Sequence, residues 1–159
     1  MPNKIHNITE VKFGTASSNT RYGDKGDSLV VTLPSNAKLS GKFTSNKLRA
    51  APVEIAIHNL SSFHKGEKVL LVNAGNANAA TGPQGEKDTK KYCSAIASDL
   101  NLKEENIIPF STGVIGEAMP IDNYLVAFRK ALDKLSTNNW KKAASAILTT
   151  DTKPKIISK

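Results

Sequence analysis

The chain has 159 residues, 39% of them hydrophobic, which is enough for one domain with a buried core. No stretch approaches the roughly 20 apolar residues of a membrane span, the opening MPNKIHNITEVKF has no apolar signal core, and the single cysteine, Cys93, excludes an internal disulfide framework. The net charge of +8, from 22 basic and 14 acidic residues, fits either an anionic partner or a lysine-rich solvated surface. The lysines are scattered without interleaved aromatics, which weighs against nucleic acid, and the lone cysteine suits a reducing cytoplasm, so the expectation is a cytoplasmic chain with no nucleic-acid and no membrane partner.

In chain order, residues 14–28 (GTASSNTRYGDKGDS) are rich in turn formers and read as a surface loop. SLVVTL, from Ser28 to Leu33, reads as a strand that Pro34 ends. The next apolar stretch is ambiguous. Val53, Ile55 and Ile57 alternate as in a strand, whereas Val53, Ile57 and Leu60 fit a helix, and Pro52 in a first turn favours the helix.

The second half is better defined. Val69–Val72 reads as a short buried strand, and Glu86–Leu100 aligns Thr89, Tyr92, Cys93, Ile96, Ala97 and Leu100 on one helical face. IIPF, residues 107–110, reads as a second short strand, with Pro109 near an edge or strand end. STGVIGEAMP reads as a loop. Asp122–Leu135 is then a helix through Leu125, Phe128 and Leu132, and NNWKKAASAIL a third helix. The tail from Thr149 is polar and extended, because Pro154 forbids further helix. Strand, loop and helix thus recur twice between residues 69 and 135, the pattern of an α/β layer arrangement. Both small-residue loops leave the C-terminal end of a strand, where open α/β sheets build their sites.

Several familiar signatures are missing: a phosphate-binding GxxxxGK(S/T), GxGxxG, GxSxG and HExxH. His6, His58 and His64 are not at metal-ligand spacing with Cys93, and Cys93 sits on an apolar helix face where a packed, inert thiol is expected. Three polar, small-residue stretches remain. In Asn73–Gly85 the glycines permit positive φ and the asparagines offer donors and acceptors, so the segment either brings backbone amides to a ligand or forms a tight crossing. In STGVIGE, a glycine after a hydroxyl residue sets a free N–H beside an O–H. Two such donors are what an oxyanion hole needs, unless the segment only caps the next helix. In ILTTDTKPK, three threonines around Asp151 form either a polar ligand contact or a surface tail.

Taken together, GKFTSNKLRAAPV, VLLVNAGNANAATGPQG, STGVIGEAMP and AILTTDTKPK follow one another in an order and at separations that resemble the N-terminal part of the ornithine acetyltransferases. These are the bifunctional glutamate N-acetyltransferases of arginine biosynthesis, and the resemblance runs from about Gly14 to Lys159. It implies an α/β fold, a layered mixed sheet with helices, belonging to the α part of a precursor that cleaves itself before a threonine. The new N-terminal threonine of the β chain would be the nucleophile. It would take acetyl from N-acetylornithine and pass it to glutamate in a ping-pong reaction, without a cofactor, although some members also accept acetyl-CoA. A freed α-amine beside that hydroxyl is a reasonable base.

Carried over position by position, the resemblance makes Thr112 and Gly113 the oxyanion-hole pair and Thr149 a substrate-binding threonine. It gives no single catalytic role to the asparagines of Asn73–Gly85, which read as scaffold allowing close packing around the site. The chain departs from the family pattern by stopping at Lys159, before the family's glycine-rich segment, its substrate-binding lysine and the cleavage junction. The expectation is therefore one domain, residues 1–159, inactive alone and completed by a β chain in an α2β2 or larger assembly. The alternative is a non-catalytic small-molecule or anion-binding α/β module.

Overall fold

A computed structural model describes residues 5–62 and 65–158. Its centre is a four-stranded mixed sheet in the order β1 (Lys12–Ala16), β2 (Ser28–Leu33), β3 (Lys68–Asn76), β4 (Ile107–Val114). The first two pairings are antiparallel and the third is parallel. A parallel neighbour requires a long crossover, which α2 (Gly82–Asp99) supplies between β3 and β4. The other helices are α1 (Ala51–Ser61), α3 (Ile121–Leu132) and α4 (Trp140–Ala146), with one 3-10 turn over Glu104–Asn106.

Helices α1, α2 and α3 pack on one face of the sheet. There Val30, Val69, Leu71 and Ile107 meet Ile55, Tyr92, Ile96 and Phe128 in the main core. Tyr92 and Phe128 stack at a 5.5 Å centroid separation, a tilted pairing that adds to the burial of both rings. The periodic face expected for α2 is the buried one: Thr89, Tyr92, Cys93, Ile96 and Ala97 all lie inside. On the other face, among the described residues, α4 is the covering helix: its Ala143 and Ala146, with Trp140, pack on Phe13, Leu29 and Val31. The Phe13 and Trp140 rings are 4.2 Å apart.

The ambiguous segment before residue 62 is helical, with Pro52 in its first turn as the sequence favours. The expected loop over 14–28 is shorter than read, because its first residues form β1, paired with β2 and bridged from Phe13 to Ser136. Gly14 explains the misreading. It is not a turn residue but the point where α3 rests on the strand: a Cβ there would lie 1.8 Å from the Ala131 carbonyl oxygen. Helix α2 begins four residues before Glu86, with Pro83 in its first turn. Helix α3 stops at Leu132 rather than Leu135.

Pro109 sits in β4, which is an edge strand, where a missing N–H breaks no second ladder. Strands β3 and β4 both run further than their apolar cores. Strand β3 continues through Asn73-Ala74-Gly75-Asn76, and β4 continues through Ser111-Thr112-Gly113-Val114. The polar stretches read as loops therefore begin as strand ends, lying side by side.

Candidate functional site

The parallel register sets Asn73 opposite Ser111, Ala74 opposite Thr112 and Gly75 opposite Gly113. Asn76 then pairs with both Thr112 and Val114, so β3 carries an irregularity where it ends. Gly113 has φ +134°, and a Cβ at that position would stand 2.3 Å from the Gly75 carbonyl carbon and 2.6 Å from the Asn76 nitrogen. Only glycine permits this contact of backbone on backbone. Gly75, at φ +112°, is similarly enclosed by Tyr22 and Tyr124, each 3.3 Å from where its Cβ would be. The absence of side chains along these strand ends is what lets two peptide planes meet.

The three asparagines of the small-residue segment are each committed to internal hydrogen bonds, two of them at this crossing and the third to α2. Asn73 Nδ2 donates to the Asn76 carbonyl at 2.7 Å, and its Oδ1 accepts from Ser111 Oγ at 2.5 Å. Asn76 Nδ2 donates to the Glu117 and Ala118 carbonyls, tying the end of β3 to the segment before α3. Asn78 Nδ2 donates to the Gly85 carbonyl and to Thr89 Oγ1 at the start of α2. Asn73 and Asn78 are fully buried and Asn76 nearly so. The scaffold reading of this stretch holds: the amides satisfy backbone groups that small side chains leave uncovered.

Thr112 lies half-buried on β4 and lines a shallow hollow of about 550 Å³ on the outer face of the sheet. Leu70, Val72, Phe110 and Ile147 share that hollow, and Phe110 is 43% exposed. The alternative reading of STGVIGE as a helix cap does not hold. The next helix starts at Ile121 with Pro120 at its cap and no side-chain capping bond. Thr149 is half-buried in a bend just after α4. Ile147, two residues earlier, reaches the hollow that Thr112 lines, and Lys25 Nζ donates to the Leu148 carbonyl at 3.1 Å. The structure thus brings the Thr112 strand and the approach to Thr149 to one hollow, with Gly113 held on β3 behind it.

Sequence reasoning missed the support beneath the site. Asp27 is buried and accepts from Ser18 N at 2.8 Å, Ser18 Oγ at 2.5 Å and Ser28 Oγ at 3.1 Å, pinning the 17–27 loop to β2. Tyr124 Oη donates to the Ala74 carbonyl at 3.0 Å. Burial raises its pKa above the ordinary tyrosine value, which keeps the donor protonated. Burial likewise pushes Tyr92 well above that value and raises the Cys93 thiol, so Cys93 is a packed thiol with no thiolate character. The sole signal for Asp27 was an acid directly before a strand, which periodicity does not register. His6 and His58 are exposed, and His64 lies outside the described residues. Among the described residues no group of His, Cys, Asp and Glu side chains gathers to hold a metal ion, and no helix is long and apolar enough to cross a membrane.

Comparison with known proteins bears on the same segments. The model of the ArgJ family matches residues 12–159. The chain belongs to the ArgJ family. It is 39% identical over 148 residues to the arginine biosynthesis bifunctional protein ArgJ of Methylococcus capsulatus, covering 93% of this chain and 36% of that protein. It is 39% identical over 164 residues to the ArgJ of Colwellia psychrerythraea, covering 98% and 39% respectively. The chain therefore spans between 36% and 39% of the length of these curated relatives. Among solved structures it is similar to the ornithine acetyltransferase of Mycobacterium tuberculosis, crystallised with ornithine. That likeness has a TM-score of 0.81 and 26% identity over 91% of this chain and 78% of the other. The ArgJ protein of Bacillus halodurans gives 0.77 and 27%, over 91% and 74%. The mixed α/β fold and the family expected from the four sequence blocks are both borne out.

Proposed function

We propose that this ArgJ-family chain is the part of an ornithine acetyltransferase that supplies the oxyanion hole, with Thr112 Oγ1 and the Gly113 N–H as its two donors. The nucleophile is a threonine in the part of ArgJ that this chain does not span, exposed at a new N-terminus by self-cleavage. Its hydroxyl oxygen attacks the acetyl carbonyl of N-acetylornithine while its proton passes to the freed α-amine. The carbonyl electron pair moves onto oxygen, and the two donors stabilise the charge formed there. Collapse of that intermediate breaks the bond to ornithine, whose amine leaves with the proton. The amine of glutamate then attacks the acetyl ester, its proton passes by way of the α-amine to the threonine oxygen, and the ester C–O bond breaks, releasing N-acetylglutamate and the free threonine and completing the ping-pong cycle. Thr149 contacts the substrate from the bend after α4. Acetyl-CoA is a second acetyl donor to be tried in the same assay.

The observation that carries this reading is Gly113 pressed on the Gly75–Asn76 peptide while Thr112 lines an open hollow. A glycine that close to backbone holds its own peptide still, and a preorganised donor is worth more than a mobile one. The hollow supports the same reading, because it is an apolar surface, lined in part by Thr112, that a second part of ArgJ can cover. The chain alone is inactive on this reading, and the β part of the same precursor covers that face in an α2β2 or larger assembly.

The test is acetyl transfer from N-acetylornithine to glutamate by this chain assembled with the ArgJ part it does not span. Thr112→Ala is expected to lower kcat by about 100- to 1000-fold, as losing one oxyanion donor does elsewhere. Unchanged turnover in that variant removes the assignment. An anion-binding module draws on the +8 charge, but Arg21, Arg49, Lys90, Lys91, Arg129 and Lys155 are already paired with carboxylates. Salt-sensitive nucleic-acid binding by the isolated chain would favour that module instead.

A further inference from the structure

We propose that Asn73 is a positioning residue for the Thr112–Gly113 pair, a single buried amide that fixes where the ends of β3 and β4 meet. The inference rests on the acyl-transfer reading of that pair. Along β3, Val69 and Leu71 point into the main core, and Asn73, next in the same alternation, is a fully buried amide. Packing alone would favour another aliphatic residue there, because a buried amide is costly unless both of its ends are bonded.

Both ends are bonded, and to opposite sides of the strand irregularity. Oδ1 accepts from Ser111 Oγ at 2.5 Å, on the residue immediately before Thr112. Nδ2 donates to the Asn76 carbonyl at 2.7 Å, on the residue paired with both Thr112 and Val114. One side chain therefore ties β4 just before the pair and β3 just across from it. Between those two ties lies the contact of Gly113 on the Gly75 carbonyl carbon and Asn76 nitrogen. A carboxamide is the side chain that offers a donor and an acceptor at this reach. Aspartate keeps the shape but loses the donor, and leucine keeps the volume but loses both. Removing the Ser111 hydroxyl cuts one tie and leaves the core packing in place, because Ser111 is only half-buried.

The experiment uses Ser111→Ala, Ser111→Thr and Asn73→Asp in the chain assembled with the ArgJ part it does not span. In Ser111→Ala kcat is expected to fall about 10- to 100-fold, the scale of a misplaced catalytic group, with KM for N-acetylornithine within about 2-fold. Ser111→Thr, which keeps the hydroxyl, should restore kcat to within about 3-fold of the parent. In the isolated chain, the amide order parameter at Gly113 should drop in Ser111→Ala from about 0.85 to below about 0.6, while those at Leu71 and Phe128 stay high. Unchanged kcat with a raised KM, or a Gly113 that stays rigid in both Ser111→Ala and Asn73→Asp, overturns the proposal. If the unmutated assembly transfers no acetyl group, the acyl-transfer reading falls, and the order parameter at Gly113 still decides whether Asn73 and Ser111 hold that peptide.

Discussion

The two faces of the sheet are built differently. The inner face is closed by α1, α2 and α3 over a core in which Val30, Leu71, Ile107, Tyr92 and Phe128 are fully buried or nearly so. On the outer face the one covering helix among the described residues is the seven-residue α4, which packs on β1 and β2. There Phe110 and Ile147 stay 43% and 44% exposed around a hollow. The contrast separates two tasks. One face holds the chain together, and the other leaves apolar surface and Thr112 uncovered. A sheet whose main core lies on one face, with only a small cluster on the other, can leave part of that second face uncovered without unfolding.

That contrast can be tested by unequal substitutions. Phe128→Ala, on the closed face, should destabilise the chain by about 3–5 kcal/mol, read from urea unfolding, because the surrounding helices cannot collapse into the space. Gly14→Ala should be next, at about 1–3 kcal/mol, since its methyl would enter the Ala131 carbonyl where α3 rests on β1. Gly14 thereby tests the contact between a helix and the sheet rather than the core itself.

A pH titration sharpens the comparison further. Cys93, Tyr92 and Tyr124 all have pKa values raised by burial, so each keeps its proton longer when folded than when unfolded. Their stabilising contribution is complete below the unfolded values, about 8.5 for cysteine and about 10 for tyrosine, and is lost as pH rises above them. The melting temperature should therefore show no loss from these groups between pH 6 and about 8 and should fall from about pH 9 upward. Substituting Phe110 on the other face should leave that profile unshifted.

The smallest stability effect belongs to the open face. Phe110→Ser should change unfolding free energy by less than about 1 kcal/mol. It should nevertheless reduce self-association of the isolated chain, measured by sedimentation, because that ring lines an uncovered apolar hollow. A large loss of stability in Phe110→Ser, or little in Phe128→Ala, would erase the distinction between the faces.

Much of this architecture was legible in the sequence, and the reason differs by element. Helix α2 announced itself because Tyr92, Cys93 and Ile96 recur on one face, and β2 because SLVVTL is a continuous run of strand formers. These signals are local, so they survive without knowledge of neighbours. The family, and with it Thr112, Gly113 and Thr149 as candidates, followed from four blocks in order. Strand β1 was not legible, because Gly14 and Thr15 carry turn-like composition. Only α3 lying on Gly14 and β2 pairing alongside make that stretch a strand.

The ends of β3 and β4 show the same limit more sharply. Asn73, Gly75, Ser111 and Gly113 are individually poor strand residues, and periodicity treats them as loop. Their register opposite one another, the fold of Asn73 across to Ser111, and the burial of Asp27 under Ser18 depend on contacts between residues far apart in the chain. Helical periodicity and apolar runs are written within a dozen residues, and the sequence alone determined those elements. Which backbone may touch which, and which face is left open, is decided only when distant segments compete for the same space.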